Sequence, residues 1–154
     1  MGKDCCNWPT PIKQYSKFSV LISDRTAVNG THNINSYSMI GNGLFTDGSI
    51  DLNTGIWSVI SSGRYQISAQ ITGIFTGSTG SGMVLNLIDM DSNTIYSQIP
   101  FTSSYGLTAV ATLSTYLSFN ATQRMRLQIV NNTGQTFTLG GGNNAQLFLS
   151  VNQN

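Results

Sequence analysis

The sequence predicts an all-β sandwich or barrel, and three observations carry that reading. Apolar residues recur with period two over much of the chain, and clusters of Gly, Asn, Ser and Thr separate the apolar runs. The residues that build exposed helix faces are scarce: only 8% of the chain is charged, and all six acids are Asp.

Taken in order, residues 1–16 read as an N-terminal arm, because Trp8-Pro9-Thr10-Pro11 denies the ladder its donors and restricts the residue before each proline. Residues 17–154 read as a single domain. Phe18 to Ser23 is a short strand ended by Asp24-Arg25. Asn29 to Gly43 reads as a long loop with strand pieces near Ile34 to Met39. Ile56 to Ile60 is a β-rich run that stops at Ser61-Ser62-Gly63. From Tyr65, the apolar Ile67, Ala69 and Ile71 alternate with Gln66, Ser68, Gln70 and Thr72, so one face is buried and the other wet. Gly77 to Gly82 is a loop, Met83 to Ile88 a strand, Asp89 to Asn93 a turn, and Ile95 to Ile99 the returning strand. Leu107 to Phe119 alternates again. Arg124 to Val130 sets Met125, Leu127 and Ile129 against Arg126 and Gln128. Asn131 to Gly134 is a turn, Phe137 to Leu139 a brief strand and Gly140 to Gly142 a link. Ala145 to Val151 closes the domain with Leu147, Leu149 and Val151 on one face. The total is about eight to ten strands with no helical period.

The formal net charge of +1 gives neither the clustered basic face that nucleic acid requires nor a polybasic membrane patch. No run approaches the roughly 18 to 20 apolar residues of a membrane-spanning helix, and the first residues lack the apolar core of a cleavable signal. Polar, weakly charged surfaces accompany extracellular, virion-surface and cell-surface domains. The two cysteines, Cys5 and Cys6, are adjacent in the arm, where bridging to each other is geometrically poor. They are either free thiols or interchain disulfides formed where several N-termini converge.

One segment has a specific likeness. Ile50-Asp51-Leu52-Asn53-Thr54-Gly55-Ile56-Trp57, then five residues, then Gly63-Arg64-Tyr65-Gln66-Ile67 resembles the signature of the C1q globular domain, a family of the C1q/tumour-necrosis-factor jelly-roll type. Asp51, Gly55, Trp57, Gly63 and Tyr65 match its pattern, while Ile50 and Ile67 stand where the family has aromatics. Asn144 to Leu149 is similar to its closing strand and Arg124 to Asn131 to its penultimate one. The physics of these residues stands beside the likeness. Asp51 to Gly55 is a turn sequence, Gly63 permits a backbone conformation closed to other residues, and the Tyr65 ring packs while its hydroxyl seeks a partner. The resemblance implies a ten-stranded, two-sheet jelly roll packed as a homotrimer, whose members recognise proteins, glycans or lipids through loops and outer faces. The collagen-like stalk that often precedes such domains is missing from this sequence.

Catalytic chemistry finds little support. The one histidine, His32, lies in a loop, there is no Gly-x-Ser-x-Gly elbow, and Gly140-Gly141-Gly142 lacks the lysine of a phosphate loop. The expectation is a binding protein and not an enzyme. Asp89 and Asp91 flank Met90 in a turn and are the oxygen donors calcium takes, as in some C1q-like heads; with no third acid or glycine pattern to complete a loop, they read as solvated turn residues ahead of calcium ligands. Asn29, Asn120 and Asn131 each begin an Asn-x-Thr glycosylation pattern. Loops rich in Tyr, Ser, Asn and Gly suit adaptable recognition, which selects Asn29, His32, Asn33, Tyr37, Ser103 and Tyr105 as the expected ligand contacts. The expected role is a trimeric recognition head for a protein or glycan, such as the tip of a viral, phage or bacterial appendage. The competing roles are a capsid-decorating or matrix protein tethered by its arm, and a calcium-dependent lectin.

Overall fold

The computed structural model describes residues 15–21, 25–27, 29–34, 38–39, 50–51, 53–75, 82–105, 108–139 and 147–153. Side chains are described for residues 29–34, 51, 53–75, 82–102 and 108–139. Strands occupy most of this, and no described residue is helical. In chain order they are β1 (Tyr15–Leu21), β2 (Arg25–Ala27), β3 (Gly30–Asn33), β4 (Ser38–Met39), β5 (Ile50–Asp51), β6 (Ile56–Ser58) and β7 (Gly63–Phe75). There follow β8 (Met83–Asp89), β9 (Ile95–Pro100), β10 (Thr102–Tyr105), β11 (Thr108–Phe119), β12 (Arg124–Asn131), β13 (Phe137–Leu139) and β14 (Leu147–Gln153). The long strands fall where alternation predicts them. The additional short ones bring the described segments to fourteen, above the expected eight to ten. Two fall where loops are expected: β3 lies within the Asn29–Gly43 stretch, and β10 carries Ser103 and Tyr105, expected as loop contacts.

The strands form two antiparallel sheets. Sheet A runs β10-β11-β7-β14-β1-β4, with β13 joining β7 and β2 joining β13. Sheet B runs β5-β6-β12-β8-β9, with β3 beside β12. The chain passes between sheets from β6 to β7, β7 to β8 and β11 to β12, so sequence neighbours face each other across the core, as in a jelly roll.

Both sheets turn one face inward. Sheet A contributes Tyr65, Ile67, Ala69, Ile71 and Phe75 from β7, Ala109, Ala111, Leu113 and Phe119 from β11, and Phe137 and Leu139 from β13. Sheet B contributes Trp57, Met83, Leu85, Leu87, Met125, Leu127 and Ile129. Register matches large to small: Ala69 opposes Leu113, and Ile71 opposes Ala111. Each fully buried Leu or Ile contributes roughly 1.5–3 kcal/mol. Gly73 opposes Ala109, and a Cβ on Gly73 would stand 2.3 Å from the Phe137 ring and 2.6 Å from the Thr138 carbonyl oxygen. Only a residue without a side chain lets β13 lie this close to β7.

Aromatic clusters seal both ends of the core. Trp57, Tyr65, Phe119 and Tyr96 pack with ring centroids 5.2–5.9 Å apart at one end. Phe137 contacts Phe75 at 5.0 Å and Phe101 at 5.2 Å at the other.

Candidate functional site

The segment that resembles the C1q signature is structural. Asp51 caps its own turn: its Oδ1 accepts from the Asn53 N–H at 2.9 Å and the Thr54 N–H at 3.4 Å, and its carbonyl accepts from the Gly55 N–H at 2.8 Å. Hydrogen bonds from the Thr54 side chain and the Asn53 amide hold the Asp51 carboxyl below its ordinary pKa. Gly55 closes the turn at φ +69°, the left-handed region that glycine enters freely. Trp57 and Tyr65 are buried edge to face, and the Tyr65 hydroxyl donates to the Ser61 carbonyl at 2.6 Å. The expectation for Gly63 is corrected. It opens β7 paired with Phe119 and is not among the described positive-φ residues, so ordinary strand backbone suffices there.

At the end sealed by Trp57, three turns interlock. The β8–β9 turn is built on Asp89, which is buried; its Oδ1 accepts from the Asp91 N–H at 2.8 Å and the Ser92 N–H at 3.4 Å. Its Oδ2 accepts from Gln123 Nε2 at 3.0 Å, and the same amide donates to the Tyr96 hydroxyl at 2.8 Å. Desolvation raises the Asp89 carboxyl, but the hydrogen bonds from Asp91, Gln123 and Ser92 outweigh it and leave the pKa below 3.8. Asp91 pairs with Arg124, whose Nε lies 3.2 Å from both carboxylate oxygens, and this contact lowers its pKa. Both acids proposed for calcium therefore have protein donors, and among the described residues no three His, Cys, Asp or Glu side chains gather as a metal site.

The opposite end gathers part of the expected ligand set. Asn29 is exposed and its Oδ1 accepts from the Gly134 N–H at 2.8 Å, joining residues 105 positions apart. Asn131 pairs with Gly30 on one side and Met83 on the other; it is fully buried, and its amide donates to the Gln135 carbonyl while its Oδ1 accepts from Thr133. Burial removes Asn131 as a glycan acceptor, whereas Asn29 and Asn120 are exposed. Ser103 and Tyr105 lie on β10 opposite Ala109 and Thr108, at this same end. His32 and Asn33 sit farther along β3, opposite Ile129 and Gln128, and Asn33 Oδ1 accepts from Gln128 Nε2 at 3.2 Å. Tyr37, Cys5 and Cys6 lie outside the described residues. The structure thus unites Asn29 with the positions of Ser103 and Tyr105 and sets His32 and Asn33 apart.

A second surface escaped the sequence reading. The outward side of β7 and β11 carries Gln66, Ser68, Gln70 and Thr72 beside Thr112, Ser114 and Tyr116, and Arg64 is its one charged residue among the outward positions of these two strands. Ser68, Gln70, Thr112 and Ser114 line a shallow trough of about 290 Å³. Tyr116 is 50% exposed, with the Arg64 guanidinium 5.4 Å from its ring centroid. The signal was the polar half of each alternating strand, which reads as ordinary wet surface until the strands lie side by side.

No family model and no curated protein matches the sequence. Solved structures do match in fold. The Eiger TNF of S. frugiperda superposes with a TM-score of 0.62 at 17% identity, covering 92% of this chain and 92% of that one. Murine APRIL at pH 5.0 gives 0.59 at 8% identity, and murine APRIL at pH 8.5 gives 0.57 at 10%; each covers 92% of this chain and 100% of the other. No described helix is long and apolar enough to cross a membrane. With two antiparallel sheets and these neighbours, the chain has the jelly-roll fold shared by tumour-necrosis-factor and C1q domains.

Proposed function

We propose that the chain is a recognition module that works outside the cell or on a virion or cell surface, and that three copies assemble through the outward face of sheet A. The observation that carries this reading is the β7–β11 face: the outward residues of these two long central strands are exposed or half-buried and nearly all uncharged, whereas the outward Asn86 and Ile88 of β8 are buried. A flat, hydrogen-bonding sheet face of this kind suits close packing against a copy of itself. The resemblance to C1q domains and the TNF-type fold support reading the assembly as a trimer.

Binding and not catalysis is the role the side chains favour. The described acids Asp51, Asp89 and Asp91 serve turns or an ion pair, so no carboxylate pair spans a cleft among the described residues. The ligand is a protein or glycan, and its contacts lie at the end formed by Asn29, the 131–136 turn and β10.

A binding screen against glycan and protein arrays tests this, with an arginine placed at each end. Asn132→Arg, on an exposed turn residue, is expected to abolish the signal, and Ser92→Arg, at the opposite end, to leave it intact. The reverse pattern contradicts the assignment.

A further inference from the structure

The turn between β11 and β12 holds a residue its backbone does not favour. Asn120 to Gln123 form a β-turn, closed by the Gln123 N–H on the Asn120 carbonyl at 3.3 Å. Its third residue, Thr122, has φ +75°, whereas Ala121 is not among the described positive-φ residues. That is the pattern of a type II turn, whose third position goes to Gly or Asn because a side chain branched at Cβ is strained there. The surroundings impose the shape. The Ala121 N–H donates to Ser62 Oγ at 2.9 Å, the Thr122 N–H to the Val59 carbonyl at 2.9 Å, and the Asn120 N–H to Gln123 Oε1 at 2.6 Å.

Nothing in the turn asks for a threonine. Thr122 is exposed, and its hydroxyl makes no hydrogen bond with any described residue. The carboxamide of Asn120, also exposed, makes none either. Together, however, Asn120-Ala121-Thr122 is the acceptor pattern for an N-linked glycan, which requires a hydroxyl two residues after the asparagine. The two other such patterns have structural reasons. Asn131 is buried, Asn29 holds the Gly134 N–H, and Thr31 lies in β3, where a β-branched residue suits the strand. At Asn120 the pattern is the one reason left for both residues.

We propose that Asn120 is an N-glycosylation site, which rests on the reading above that the chain works outside the cell. The donor is an oligosaccharide carried on a lipid pyrophosphate. Asn120 Nδ2 bonds to the anomeric carbon, the bond from that carbon to the pyrophosphate breaks, and one amide proton passes to a base of the transferase. The glycan stands at the end sealed by Trp57, away from the candidate ligand end. It lies beside Ile60, which is 50% exposed and follows the residue whose carbonyl holds the turn.

The test uses the full chain secreted from mammalian cells, treated with peptide N-glycosidase in heavy-oxygen water and mapped by peptide mass spectrometry. The enzyme leaves a labelled aspartate wherever a glycan stood. Label is expected at Asn120, lost in Thr122→Asn and kept in Thr122→Ser. Asparagine tolerates the left-handed region, so glycan-free Thr122→Asn made in bacteria should melt about 2–4 °C above the wild type. A secreted chain without label at Asn120, or a Thr122→Asn variant no more stable than the wild type, overturns the proposal. Binding arrays run on the same secreted chain judge the recognition reading separately: binding without label sinks the site alone, and label without binding supports the site while counting against that reading.

Discussion

β7 and β8 each lie inside their sheets, flanked by strands on both sides, yet their outward faces differ. On β8 the outward Asn86 and Ile88 are 2% and 6% exposed, and Gln98 Nε2 of β9 donates to Asn86 Oδ1 at 3.0 Å. On β7 the outward Arg64, Gln70 and Ile74 are exposed, with a long 3.4 Å contact from Gln70 to Thr112 and the Arg64 guanidinium over the Tyr116 ring across the face. One chain therefore covers the outward side of β8 by itself and leaves that of β7 partly open. The difference teaches where a second copy has something to cover: burying polar, uncharged groups is tolerable once each finds a hydrogen-bond partner, which a matching face supplies.

The contrast can be sharpened by truncation. Ile88→Ala, on the closed face, is expected to cost about 2–5 kcal/mol because its surroundings relax only partly. Ser114→Ala, at an equivalent outward position of β11, should stay within about 0.5 kcal/mol when folding of the single chain is measured. Denaturant melts at low protein concentration check both, and similar costs would mean that the two faces are equally covered.

A smaller effect separates the sheets by pH. Both strand aspartates, Asp51 and Asp89, belong to sheet B, and the described strands of sheet A contain none. The Asp89 pKa is lowered in the fold, so its contribution is present above 3.8 and is lost as pH falls through the depressed folded value. Urea midpoints measured from pH 6 down to pH 3 should fall for the wild type. They should fall less steeply for Asp89→Asn, which starts lower; identical slopes would remove Asp89 from the account.

Much of the fold was legible in the residues, and what was hidden has physical causes. The alternation of 65–71, 107–119 and 124–130 identified strands whose inward face is set by their own sequence. The short β3 and β10 show no such pattern, because their pairing is imposed by β12 and β11 and not by local preference. Asn86 has the look of a solvated outward residue, and only the arrival of Gln98 explains its burial. Gly73 sits unremarked in an alternating strand until Phe137, far along the chain, comes to lie on it. The candidate ligand end was legible in residue type and illegible in arrangement, since Asn29 meets Gly134 only after the strands between them have paired.

The covering of sheet A by sister copies is tested most directly by the mass in solution, measured by light scattering across a range of micromolar concentrations. Wild-type protein should have three times the mass of one chain. Thr112→Lys, a charge set in the open face, should reduce it to the mass of one chain, while Gln98→Lys on sheet B should leave it at three. A wild-type protein with the mass of one chain, or a trimer indifferent to Thr112→Lys, would contradict the account.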